Sequence, residues 1–331
     1  MFRNIMFKTQ KYFSVIWILL ASILHSCQNT EYMPITIERF DIEAANFDNL
    51  DNRSKMEFES KYKGVIDIYV EKMYPGSSIS TDSKLTNFAN SEAINFFLKD
   101  VVKAYPDLNA EEKILGYQKH LFEKELELSY PEIYTAVIPY NQSILLNDTI
   151  LIVGLNHFLG SDYAPYESFA EYTRTFKTRE KITYCILEAI LKSHFPYETK
   201  DGTLLEAIMY EGIIAETASQ LQEDFSESLY FSITQKSLDW CKENENKLWN
   251  QLLIDDCLYS TSEEVIASFI NPAPFTPAFT NQSTGKAACW LGYRIINKYI
   301  RGTDIPATTL LKTKSYQNSQ KLLIDSKYNG K

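Results

Sequence analysis

Residues 182–195 read ITYCILEAILKSHF, an amphipathic run at helical spacing. In one class of hydrolase a helix of this kind carries H-E-x-x-H, with two imidazoles stacked at i and i+4 to grip zinc. At about 100° per residue from Ile182, the residues Ile182, Cys185, Ile186, Ala189 and Ile190 gather into one apolar sector, widened by Leu187 and Leu191. Glu188 falls near 240° and His194 near 120°, so the two point about 120° apart and no frame stacks two ligands. His194 precedes Phe195-Pro196 and reads as a helix-end residue beside the last carbonyls.

The next helical run, LLEAIMYEGIIAETASQLQ from 204, places Glu211 near 340°, among Leu204, Ala215 and Ala218. A carboxylate on an apolar face needs a partner. In zinc hydrolases of the gluzincin type a glutamate on this second helix is the third metal ligand. Without the two imidazoles, the expected partner of Glu211 is a tyrosine, an amide or an arginine. Gly212 beside it predicts the close approach of another backbone.

The remaining chain is mainly helical, with helices expected at about 51–74, 91–105, 110–128, 179–195, 203–222, 227–251, 262–270 and 285–301. The Pro-rich loop 271–284 interrupts them. Between residues 136 and 158 two apolar β-branched runs, Ile144–Leu146 and Thr149–Val153, flank Asn147-Asp148. Both turn residues tolerate positive φ, which predicts a hairpin. The expected fold is therefore α+β and mainly helical, with a small sheet around 136–153 packed on a helical body. Three polar or aromatic clusters are candidate binding residues. Asn156 and His157 leave the strand between Gly154 and Gly160, and Asp162 follows in the Gly-Ser-Asp turn. Glu211 is the second. Trp290, Tyr293 and Arg294 form an aromatic-cation strip.

The 331 residues are 45% hydrophobic and carry 11 Gly and 11 Pro, enough apolar material for a sizeable core without low-complexity character. The net charge of −10 and the lack of a basic cluster beyond the N-terminus argue against a nucleic-acid partner. No G-x-S-x-G or P-loop is present.

Residues 1–26 have the form of a signal peptide. Arg3, Lys8 and Lys11 precede an apolar run from Tyr12 to Leu24, too short for a confident spanning helix. Leu24-His25-Ser26-Cys27 resembles a bacterial lipobox, with Cys27 the residue that would take diacylglycerol. A lipidated tether over 27–50 and a single globular domain over 51–331 are expected. Cleavage would remove three basic residues and no acidic one, so the body would be more acidic than the whole chain and would rely on its acyl chains for membrane association. Cys185, Cys241, Cys257 and Cys289 form no C-x-x-C; disulfides in three pairings and buried free thiols are both open readings.

Several segments together resemble the gliding-motility lipoprotein family of B type: Cys27, ILIVGLNHFLGSDY (150–163), EAIMYEGIIAE (206–216), LDWCKENENKLWN (238–250), GKAACWLGYRIINKYI (285–300) and the terminal SKY. This family is similar to zincin-type peptidases lacking the histidine pair. The resemblance implies a zincin-like domain, anchored in the cell envelope with the body facing the periplasm or the surface. It implies a non-catalytic accessory or assembly factor with no cofactor or metal, working by contact with other envelope proteins, gliding components among them. Two rivals remain open: a zinc peptidase with unusual ligands (His157 and Glu211 with Glu188 or His194), and a glycan- or peptidoglycan-binding lipoprotein using exposed Trp290 and Tyr293.

Overall fold

The computed structural model describes residues 32–139 and 141–331. Pro34–Lys331 form one compact unit. Its elements, in chain order, are β1 (Ile37–Glu38), α1 (Phe40–Ala45), α2 (Asn52–Lys61), α3 (Thr81–Ala89), α4 (Glu92–Ala104), α5 (Asn109–Leu126), β2 (Glu132–Ala136), β3 (Ile144–Leu146) and β4 (Ile150–Gly154), then α6 (Ile182–His194), α7 (Leu204–Leu221), α8 (Glu227–Phe231), α9 (Gln235–Glu243), α10 (Glu245–Ile254), α11 (Glu263–Ile270), α12 (Ala287–Thr303), α13 (Ala307–Lys312) and α14 (Ser319–Ser326), with short helical turns between them. The fold class is α+β and mainly helical, as the sequence predicts.

Helix α7 is the hub. Thr203 caps it, accepting from Glu206 N at 3.2 Å. Glu206 is fully buried, and its carboxylate accepts from the backbone N–H groups of Lys200, Asp201 and Gly202 at 2.6, 2.7 and 3.0 Å, which satisfies its charge. Apolar residues bury most of its circumference, from Leu204 to Leu221. It crosses α12 at a glycine pair. A Cβ on Gly212 would lie 2.4 Å from the Gly292 carbonyl carbon, and one on Gly292 would lie 2.0 Å from Ile208 O. The close backbone approach expected at Gly212 is thus present.

The sheet has four strands in the order β1-β2-β4-β3. β1 and β2 are parallel, as are β2 and β4, while β3 runs antiparallel to β4 with Ile144 opposite Val153. The expected hairpin is therefore real, and two parallel strands extend it. Its turn differs in mechanism. Neither Asn147 nor Asp148 has positive φ. Instead Asn147 Oδ1 accepts from Thr149 N at 3.0 Å and Ile150 N at 2.9 Å, an Asx turn. Ile133–Ala136 and Leu151–Gly154 are buried throughout, as strands covered on both faces must be.

Two expectations need correction. The segment from 37 to 50 is not tether: Ile37, Phe40, Ala44 and Phe47 are core residues, and buried Asp41 pairs with Arg39 at 3.0 Å and accepts from Thr135 Oγ1 at 2.5 Å. The helix expected at 227–251 is three helices, broken where Ser232 turns left-handed (φ 56°), where Thr234 caps α9, and at Asn244. Helices α3 and α14 and strands β1 and β2 carried no sequence expectation. The lipobox, Cys27 and the signal peptide lie outside the described residues. All four described cysteines are free thiols.

Candidate functional site

Lys181, Cys185, Glu188 and Lys192 recur at intervals of four, three and four residues, so they line one face of α6 and its leading turn. This polar stripe faces α7, α8 and α12. Lys192 is its centre: Nζ lies 2.9 Å from Glu188 Oε1 and 2.9 and 3.0 Å from the two carboxylate oxygens of Glu211 on α7. Lys181 is buried and donates to the carbonyl oxygens of Leu229 and Tyr230, the latter at 2.8 Å, at the end of α8. Glu188, Lys192 and Glu211 keep 24, 32 and 21% of their side-chain surface, so solvent reaches this deep nest.

Its electrostatics favour fixed charges over proton transfer. Burial alone would raise the Glu188 carboxyl, but Lys192, Lys286 and Lys181 outweigh it and hold the group down at about 2. Burial pushes the Lys181 ammonium down from its ordinary value. The Cys289 thiol is pushed up to about 12 by burial and by Glu211, and burial raises Cys185 as well. Both thiols are therefore protonated at neutral pH and poor nucleophiles. A carboxylate at about 2 is a weak general base near pH 7. The Tyr230 hydroxyl is buried without a hydrogen-bond partner, and burial raises it well above its ordinary value, with the Glu188 and Glu211 carboxylates adding to the rise. Three ammonium groups (Lys181, Lys192, Lys286) meet two carboxylates, so the nest carries surplus positive charge.

Most sequence-predicted site residues lie elsewhere. Asn156 is buried and clamps the strand extension at Ile138, accepting from its N at 2.8 Å and donating to its O at 2.9 Å. His157 Nε2 is 3.0 Å from the same oxygen. Burial, with Lys177 adding to it, lowers the His157 imidazole to about 4. Asp162 is exposed on the rim of an open cleft of about 560 Å³, between the 158–163 loop and Tyr105 and Arg179. Arg179 is tied to Glu111 at 2.6 Å and lies 5.3 Å over the Tyr105 ring.

Glu211 is partnered as its position demands, but by a lysine instead of a tyrosine, amide or arginine. His194 packs against the Phe122 ring at 5.5 Å. The ligand set of the zinc alternative is thus not assembled: His157 sits at Ile138, His194 against Phe122, and both glutamates bind Lys192. Among the described residues no three His, Cys, Asp or Glu side chains come together as a metal site.

The aromatic strip is also not a surface. Trp290 is fully buried and donates Nε1–H to Glu227 at 2.7 Å. Tyr293 is 9% exposed, within 5.7 Å of Phe231. Arg294 does stand over Trp290 at 5.9 Å, as the cation–π expectation has it, and is held by Glu245 at 3.0 Å. The exposure that glycan stacking needs is absent from both aromatics.

The stripe contains no histidine and, Glu188 apart, none of its residues was among the sequence-predicted site residues. Lys181 and Lys192 share the sector of Glu188 on the same wheel, and E-x-x-x-K at 188–192 was a visible i,i+4 signal.

Fold and site together define a mainly helical α+β protein built around a charged nest between helices. Within that class, the chain belongs to the family of the gliding motility protein GldB, whose model matches residues 25–330. It is thereby placed among gliding-motility lipoproteins of the cell envelope. Among the described residues no helix is long and apolar enough to cross a membrane. No curated protein and no solved structure matches the chain.

Proposed function

We propose that this chain is a lipid-anchored accessory protein of the gliding machinery that acts by contact with another envelope protein instead of by bond cleavage. The observation carrying this reading is Lys192, whose ammonium bridges both glutamates of the nest. Leu187-Glu188-Ala189-Ile190-Leu191 keeps the glutamate of H-E-x-x-H and has buried leucines where the imidazoles stand. With Glu211 on the following helix, the arrangement supports descent from a zincin-type peptidase in which the metal's positive charge has passed to a side chain. The open cleft edged by Asp162 is the foremost contact surface. Full-length tagged protein, isolated from mildly crosslinked and solubilised membranes, should carry a stoichiometric envelope partner, and Asp162→Arg should reduce its recovery. Repeated isolation without any partner overturns the reading.

A further inference from the structure

A second and smaller cavity opens where α12 begins. Its volume is about 160 Å³. Tyr172, Phe176, Phe231 and Pro272 wall it, and Gly285 and Lys286 close one side. A Cβ on Gly285 would stand 2.2 Å from Ala273 O, so the two backbones are pressed together there and fix where Lys286 emerges. Lys286 has left-handed backbone (φ 60°) at the start of α12, a conformation that costs a non-glycine residue energy.

The surroundings of Lys286 are unbalanced. Its side chain is half-buried and forms no salt bridge or hydrogen bond among the described residues. Glu188, on whose carboxylate Lys286 acts through space, is already bonded to Lys192, and Lys181 is a further buried lysine beside that carboxylate. No side chain caps α12, so the positive end of its dipole adds to the same potential. A half-exposed ammonium without an acid partner at the edge of an apolar cavity is available for a charge-assisted bond to an anion. A cavity of about 150 Å³ is known to take a benzene ring, so this one has room for one aromatic or large aliphatic group.

We propose that this cavity binds a hydrophobic carboxylate: the anion pairs with Lys286, and the apolar group fills the space between Phe176, Phe231 and Pro272. A carboxylate of this kind occurs at the C-terminal residue of a polypeptide and in a free aryl or acyl acid. In the first case the proposal rests on the contact function above and names its chemistry. The pocket's surplus positive charge disfavours a free α-amine beside the carboxylate, so an acylated nitrogen is preferred.

The test is calorimetric or NMR titration of the full-length protein with N-acetyl-L-phenylalanine, N-acetyl-L-phenylalaninamide and a hexapeptide ending in phenylalanine. N-acetyl-L-phenylalanine should bind at about millimolar concentration, and its amide about tenfold more weakly. Lys286→Gln should weaken binding about tenfold, whereas Lys286→Arg should retain it; melting of both variants within about 2 °C of the parent shows that they fold. Tighter binding of the hexapeptide assigns the site to a polypeptide terminus, and binding of the small acid alone assigns it to a free acid. No binding, equal binding of the amide, or an unaffected Lys286→Gln overturns the proposal. If those outcomes occur while membranes still yield a partner, the contact function stands without this pocket.

Discussion

Lys192→Met removes the ammonium from the nest while keeping much of its length. Two carboxylates, each within 3.0 Å of the lost nitrogen, are then left facing each other. Breaking a buried ion pair from one side costs roughly 3–5 kcal/mol. The three side chains keep 21–32% of their surface, so water restores part of the loss and about 2–3 kcal/mol remains. For a chain of this size that lowers Tm by roughly 4–6 °C.

The pH dependence carries the stricter test. In the parent, Glu188 at about 2 lies below its ordinary 4.5, so its stabilisation is full above 4.5 and is lost as pH falls toward 2. In the variant, repulsion between the carboxylates raises at least one of them above its ordinary value. The folded state then binds more protons than the unfolded state, and the deficit relative to the parent shrinks between pH 7 and pH 5. Calorimetric melts at both pH values measure this, and adding Glu211→Gln should recover about half of the loss at pH 7. A deficit under about 1 kcal/mol, or one that does not change with pH, refutes the reasoning.

Other expectations follow from the packing. Gly212→Ala drives a methyl into the Gly292 carbonyl at 2.4 Å and should destabilise by roughly 1–3 kcal/mol in urea melts. His157 is 7% exposed and lowered to about 4 from 6.5, so its stabilisation is full above 6.5 and is lost as pH falls toward 4, a change of roughly 3 kcal/mol. His157→Gln should flatten the stability curve over that window. Trp290→Phe removes the 2.7 Å bond to buried-side Glu227 and should cost roughly 1–3 kcal/mol, while leaving any binding to purified cell-wall sacculi unchanged.

Helix periodicity was legible wherever one face met the core, as at 182–194 and 204–221. The 144–153 hairpin was legible from its β-branched runs. β1 was not, because two residues carry no periodicity, and its pairing with Ile133 and Tyr134 is set by contacts across almost a hundred residues. The break at Asn244 was hidden because Leu238, Cys241, Leu248 and Leu252 continue the apolar spacing through it. At the site, Glu211 was correctly read as a carboxylate in need of a partner. Lys192 was missed as that partner, because helix wheels describe one helix at a time and this bond joins two. Trp290 and Tyr293 were read as a binding strip and are buried, because α8 and Phe231 cover them, which no local pattern records.

The decisive point is whether an ammonium or a metal supplies the positive charge between Glu188 and Glu211. The most direct measurement is the metal content of protein purified without a histidine tag, taken together with cleavage of an unfolded protein substrate with and without chelator. Below about a tenth of an equivalent of zinc and no chelator-sensitive cleavage are expected. About one zinc per chain, lost on Glu211→Ala together with peptide cleavage, would contradict the ammonium's role.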